Sequence, residues 1–189
     1  MSRPSLRLAG VFLSSMLIAV LAVACTSRHP RQAPAALPAT APSGLALHHA
    51  QPQVYTAGQP AAGDWAALAG GGVRTVIDLR TPGELKDRDE RAEVEAAGMR
   101  YLALPIAGHA GVTPENAKAL SALLAGARGP VLVHCASGNR AGGLLALALA
   151  AQGMAPTQAL ETGRGAGMAS TETQVRQALG LPAAADAAP

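Results

Sequence analysis

Pro130-Val131-Leu132-Val133-His134-Cys135-Ala136-Ser137-Gly138-Asn139-Arg140 runs from a short apolar segment into a polar loop, and Ala141 to Ala151 behind it is apolar again. That pattern is strand, tight loop, helix. A cysteine at the start of such a loop and an arginine at its end address one anion from two sides. Loop amides at a helix N-terminus complete the positive field. A helix N-terminus and nearby cations also favour thiolate over thiol, and Cys135 stands where both act. Gly138 lets the backbone turn its N–H groups inward without a Cβ clash. Arg140 offers a planar fork for two oxygens, so Arg140 and the amides of Ala136, Ser137, Gly138 and Asn139 form a candidate substrate-binding set. Such a loop suits attack of sulfur on phosphorus, a reaction governed by positioning and electrostatics. Read alone, Cys135 would be a buried free cysteine; in this context it reads as a nucleophile. His134 is either a satisfied core histidine or a supporting residue that hydrogen-bonds the loop backbone and holds Cys135 in place.

Working outward, strands and helices alternate. Gln53 to Thr56, Val73 to Leu79, Arg100 to Leu104 and Val131 to His134 read as strands. Asp64 to Ala69, with Asp64 as its N-cap, Asp89 to Ala97, Thr113 to Ala125 with Pro114 at its first position, and Ala141 to Gln152 read as helices. Residues 157–179 add one or two small helices. The alternation predicts a single-domain α/β fold, a central mostly parallel sheet of four to five strands flanked by helices. Active sites of such sheets lie at the carboxyl ends of strands, where Cys135 falls.

His-Cys-x-x-Gly-x-x-Arg is the signature of cysteine-dependent protein tyrosine and dual-specificity phosphatases, which this loop resembles. Here four residues rather than five separate Cys135 from Arg140, and Ala141 stands where those enzymes carry a Ser or Thr. The shorter loop also occurs in rhodanese-like sulfurtransferases and in the phosphatase-like domain of bacterial beta-lactamase hydrolase-like proteins. The rest of the chain is similar to the last of these. Val54-Tyr55-Thr56-Ala57-Gly58-Gln59-Pro60, the run Gly72 to Arg80 followed by Pro82-Gly83-Glu84, Ala97 to Tyr101, Leu104-Pro105-Ile106 and Val112-Thr113-Pro114-Glu115 resemble its successive segments, in order, over residues 52–152. The resemblance implies a phosphoric monoester hydrolase that needs no cofactor and no metal.

It also implies an acid for the leaving oxygen, on the loop after the strand Arg100 to Leu104. That loop holds no carboxylate. His109 is its one titratable group and the first candidate; an exposed loop histidine is the equal alternative. Glu115 is second, though it also suits a helix N-terminus electrostatically. Asp78 reads as structural, in an Asp–Arg pair near Glu84, while Arg80 either completes that pair or adds positive potential over the pocket. Lys86 to Arg91 reads as a solvated helix start. Tyr55, Trp65 and Tyr101 are the only aromatics after the first 25 residues, and none is placed to grip a phosphotyrosine ring.

The first residues tell a separate story. Arg3 and Arg7 precede an apolar run from Leu8 to Val23, and Ala22-Val23-Ala24 offers a small-residue cleavage site. Leu21-Ala22-Val23-Ala24-Cys25 resembles a lipobox. The expected organisation is a lipoprotein-type signal peptide over 1–24, lipidation at Cys25, a Pro/Ala-rich tether over 25–50, the phosphatase-like domain over 51–182 and a disordered tail over 183–189. Ordinary signal-peptide cleavage and an uncleaved anchor are the alternatives. Export to a periplasm implies an oxidising space, where Cys135, the only other cysteine, would lack a partner. Without Arg3 and Arg7, 13 basic residues face 12 acidic ones. With no basic cluster, nucleic acid is excluded as a partner. The expected partners are a phosphorylated protein or small phosphoester as substrate, and a membrane through the N-terminal lipid. A sulfurtransferase and a non-catalytic anion-binding lipoprotein are the rival functions.

Overall fold

Leu132 and Val133 set the architecture: adjacent residues of one strand, both fully buried, they must face two different cores. In the computed structural model, which describes residues 37–84 and 86–183, they do. Val131 and Val133 join Ile77, Leu79, Leu120 and Leu144 on one face of a sheet. Leu132 joins Tyr55, Trp65, Leu68, Val76 and Val94 on the other. A strand covered on both faces reads as a continuous apolar run, and that is how it reads here.

Among the described residues the elements are β1 (Leu47–Gln51), β2 (Val54–Ala57), α1 (Asp64–Gly70), β3 (Thr75–Asp78), α2 (Glu90–Ala96), β4 (Arg100–Ala103), α3 (Pro114–Ala125), β5 (Val131–His134), α4 (Asn139–Ala151), α5 (Pro156–Gly165) and α6 (Glu172–Ala178). The sheet has five strands in the order β1-β2-β5-β3-β4. β2, β3, β4 and β5 run parallel, and β1 is an antiparallel edge. This is the expected α/β fold, with β5 at its centre. No helix among the described residues is long and apolar enough to cross a membrane.

The boundary before the domain is corrected. The tether assigned to 25–50 gives way to folded chain at residue 37. β1 pairs with β2, Ala41 and Leu47 are buried, and the Leu37 amide donates to the Tyr55 hydroxyl at 3.2 Å. Asp64 does not cap its own helix. Its carboxylate, buried, accepts from the Ser43 amide at 2.9 Å, the Ser43 hydroxyl at 2.7 Å and the Ala61 amide at 2.8 Å, and so fastens this N-terminal stretch. The signal peptide, Cys25, the tether before residue 37 and the tail from 184 lie outside the described residues.

Helix α4 is buried from Asn139 to Leu149, and its small residues let its neighbours come close. A Cβ built on Gly142 would lie 2.5 Å from the Met168 amide nitrogen and 2.7 Å from the Gly163 carbonyl oxygen, both backbone atoms that cannot swing aside. Replacing Gly142 with alanine therefore overpacks the joint between α4 and the chain after α5. We expect a loss of about 2–3 kcal/mol, read as a lower midpoint in urea with an unchanged slope.

Candidate active site

The loop between β5 and α4 begins at Cys135 and closes at Gly138, which takes φ +88°, a left-handed conformation that favours glycine. This turn points the Gly138 amide back at the Cys135 sulfur, 3.2 Å away. Cys135 is 1 % exposed, deeper than Ala136 and Ser137, which are exposed beside it. The turn after β2 braces the loop from the side. The Gln59 amide donates to the Ala136 carbonyl at 3.1 Å, and Gly58 bridges Ser137. A side chain at Gly58 would sit 3.3 Å from the Ala136 oxygen, tighter than an ordinary contact, so glycine permits the approach.

Arg140 lies in the first turn of α4, 7 % exposed. Its Nη1 donates to Glu84 Oε1 at 2.8 Å and the Ile106 carbonyl at 2.7 Å, and Nη2 donates to Glu84 Oε2 at 2.6 Å. Glu84 thus takes the end of the guanidinium fork. Among the described residues, Nε–H and the second Nη2–H have no oxygen partner, and this side edge is a second bidentate face. The Glu84 hydrogen bonds raise the guanidinium pKa, against burial, and the nearby Cys135 sulfur adds to the rise. Arg140 in turn pulls the Glu84 carboxyl down to about 2, helped by bonds from the Thr81 amide and hydroxyl. Sequence reasoning missed this pair because 56 residues separate the partners.

A cavity of about 320 Å³ stands over the loop, lined by Ala136, Ser137, Asn139 and Arg140, by Thr81 and Glu84, and by Gly108 and His109. His109, the first acid candidate, lines the cavity. Glu115 is exposed and does not line it. Glu84, the one carboxylate at the cavity, is held ionised by Arg140 and is no proton donor near neutral pH. The Asn139 side chain turns away from the cavity floor. Its Oδ1 accepts from the Ala169 amide at 2.7 Å and the Thr171 amide at 3.2 Å, so its Nδ2 is left facing Ser170 Oγ at 2.8 Å and His109 Nε2 at 3.3 Å. Asn139 can therefore serve an anion only through its backbone; its side chain ties the loop before α6 to α4.

His134 departs from expectation. Its ring does not hydrogen-bond the loop backbone: Nε2 faces Glu90 Oε1 at 2.8 Å and Asp78 Oδ1 at 3.8 Å. The carboxylate sits off the axis of the ring N–H, so the contact is a close approach rather than an aligned hydrogen bond. Arg80 takes the structural option. It forks onto Asp78 at 2.9 and 2.7 Å and reaches Glu90 Oε2 at 2.8 Å. The run Lys86 to Arg91 is not wholly solvated either, since Glu90 is 4 % exposed. Burial raises the Asp78 carboxyl, but hydrogen bonds from Arg80 and Tyr101 help to more than reverse it. Asp78, Glu90 and His134 come within 4.8 Å of one another, close enough to share a metal ion. Both Asp78 oxygens already accept from Arg80 or Tyr101, however, so a guanidinium already occupies this cluster.

An anion loop of this kind, at the carboxyl end of the central strand of a parallel sheet, defines the cysteine-dependent phosphatase-like class. The family profile described as the phosphatase-like domain of beta-lactamase hydrolase-like protein matches residues 46–152, more than half of the chain. The chain belongs to that family. A beta-lactamase hydrolase-like protein of Agrobacterium fabrum is 35 % identical over 89 residues, 45 % of this chain and 20 % of the relative. The match thus spans about a fifth of that relative's length. Among solved structures, a putative phosphatase from Neisseria meningitidis superposes with a TM-score of 0.61 at 21 % identity, over 69 % of this chain and 96 % of the other; it shows the shared fold. TpbA from P. aeruginosa, solved in complex with pTyr, superposes with a TM-score of 0.51 at 27 % identity, over 70 % and 82 % of the two chains.

Proposed function

We propose that this chain is an exported, lipid-anchored phosphatase that hydrolyses phosphomonoesters through a thiophosphoryl-cysteine. One observation carries the reading: the Gly138 amide points at the Cys135 sulfur, and Arg140, at the other end of the same loop, lines a cavity of about 320 Å³ with an open guanidinium edge. The Cys135 thiolate attacks phosphorus, the S–P bond forms and the P–O bond to the leaving group breaks. The open edge of Arg140 and the loop amides bind the phosphoryl oxygens. The leaving oxygen takes a proton from His109 or from water. A second water then attacks phosphorus and releases phosphate, returning the thiolate. The family membership supports this reading, as does the pTyr complex of TpbA. With no aromatic side chain lining the cavity, small phosphoesters or several kinds of phosphorylated residue suit it better than phosphotyrosine alone.

Loop length favours a second reading. Six residues from Cys135 to Arg140 match the loop of rhodanese-like sulfurtransferases, in which the sulfur carries a persulfide. Reduced protein given an aryl phosphate, and separately thiosulfate with cyanide, decides between them. We expect phosphate release and no thiocyanate; the reverse result replaces the phosphatase with a sulfurtransferase. Neither product, together with phosphate binding that survives Cys135→Ser, would mean an anion-binding lipoprotein. Anchoring at Cys25 is tested by metabolic labelling with a fatty acid, which Cys25→Ser should abolish along with recovery in the membrane fraction.

A further inference from the structure

Glu90 is the first residue of α2, yet it is 4 % exposed and takes no part in the chemistry above. Its carboxylate reaches three elements at once. Oε2 accepts from Gln59 Nε2 at 2.5 Å, after β2, and pairs with Arg80 Nη2 at 2.8 Å, after β3. Oε1 abuts His134 Nε2 at 2.8 Å, at the end of β5, off the axis of the ring N–H. Two of these contacts lead straight to the loop. His134 is the residue before Cys135, and the Gln59 backbone amide holds the carbonyl of Ala136, the residue after it.

We propose that Glu90 is a positioning residue for Cys135, fixing the sulfur through both of its chain neighbours: it abuts the His134 ring and hydrogen-bonds the side chain of Gln59, whose backbone amide holds Ala136. The proposal deepens the reading of Cys135 as nucleophile and rests on it. The gain is in pre-organisation. A loop carbonyl and a strand end that both lead to one buried carboxylate keep the Gly138 amide aimed at the sulfur, and misplacement of a reacting group by about 1 Å can cost about a hundredfold in rate. Arg80, shared with Asp78, offsets part of the cost of burying a carboxylate here.

The test compares Glu90→Gln and Gln59→Ala with wild type, using the pH profile of iodoacetamide alkylation read on the Cys135 peptide, so that Cys25 does not contribute. Besides Glu90 itself, the charged or titratable groups of the elements that meet the loop are Arg140 on α4, Asp78 on β3, Arg80 and Glu84 after it, His109 after β4 and His134 on β5, and neither variant replaces any of them. The two possible roles of Glu90 give opposite signs. A merely nearby negative charge disfavours the thiolate, so its removal would move the profile to lower pH. A carboxylate that aims the loop at the sulfur favours the thiolate, so its loss moves the profile up. We expect a rise of about one pH unit for Glu90→Gln, a smaller rise for Gln59→Ala, and kcat lowered about tenfold or more with KM little changed. An unchanged or lowered profile in Glu90→Gln overturns the proposal, and so does a rise there with none in Gln59→Ala. If Glu90→Gln does not fold, Gln59→Ala decides alone, and an unchanged profile in it is the overturning result. The alkylation readout is independent of turnover: full activity in Cys135→Ser would defeat the nucleophile reading and leave this measurement standing.

Discussion

Replacing Cys135 with serine is expected to abolish turnover and leave the fold in place. Serine differs from cysteine by one atom and can accept the Gly138 amide bond as sulfur does. Its hydroxyl, however, stays protonated, because the field of one amide and one guanidinium cannot ionise an alcohol at neutral pH. Without the covalent route, the site keeps its oxyanion binding and loses the first step. The expected fall in kcat is at least about 10⁴-fold, measured as phosphate release from an aryl phosphate under reducing conditions. Thermal unfolding should stay near that of wild type, and phosphate binding should persist. Turnover in the serine variant within tenfold of wild type would end the nucleophile assignment. Oxidation makes the same prediction reversibly, since the described residues offer Cys135 no disulfide partner: peroxide should inactivate the protein and a thiol should restore it, provided exposure stops at the sulfenic stage.

The fold and the site were legible in the sequence to different depths. β5, its loop and α4 were readable because the apolar run, the turn glycine and the second apolar run are local signals that tertiary structure did not override. β1 was not. Leu47 is its only buried residue, so Leu47-His48-His49-Ala50-Gln51 carries no alternation, and a bulge after His49 breaks the register that might have revealed it. Instead His49 stacks on Tyr55 across the pair, at 4.8 Å between ring centroids. At the site, His109 could be found because its loop holds no other titratable group. Glu84 and Glu90 could not be given their partners, because what joins them to Arg140 and His134 is the adjacency of β3 and β5, which places the segments after both strands side by side. A charged run such as Lys86 to Arg91 looks solvated by composition. Glu90 is buried only because Arg80 and Gln59 reach it from elsewhere in the chain.

Arg140 and Glu84 behave as one unit under mutation. Lysine at position 140 keeps the charge but offers a single ammonium in place of two faces of a fork, so it cannot hold Glu84 and a phosphoryl group together. We expect Arg140→Lys to lower kcat/KM by about 10³-fold. Glu84→Gln leaves the guanidinium present but frees the end that Glu84 grips through two bonds. Its cost should be about ten- to hundredfold. In the Arg140→Lys background, adding Glu84→Gln should cost little more, since the contact it removes is already gone; a double-mutant cycle reads this coupling directly. Additive losses would mean that Glu84 acts on the site by another route. Acid supplies an independent check. The Glu84 carboxyl falls from an ordinary 4.5 to about 2 in the folded protein. A depressed carboxyl gives stability that is fully present above the unfolded value and fades as pH drops toward the folded one. The stability gap between wild type and Glu84→Gln should therefore be constant above about pH 5 and shrink steadily as pH falls toward 2. A gap that stays level across that window would show that the carboxylate charge does not clamp Arg140.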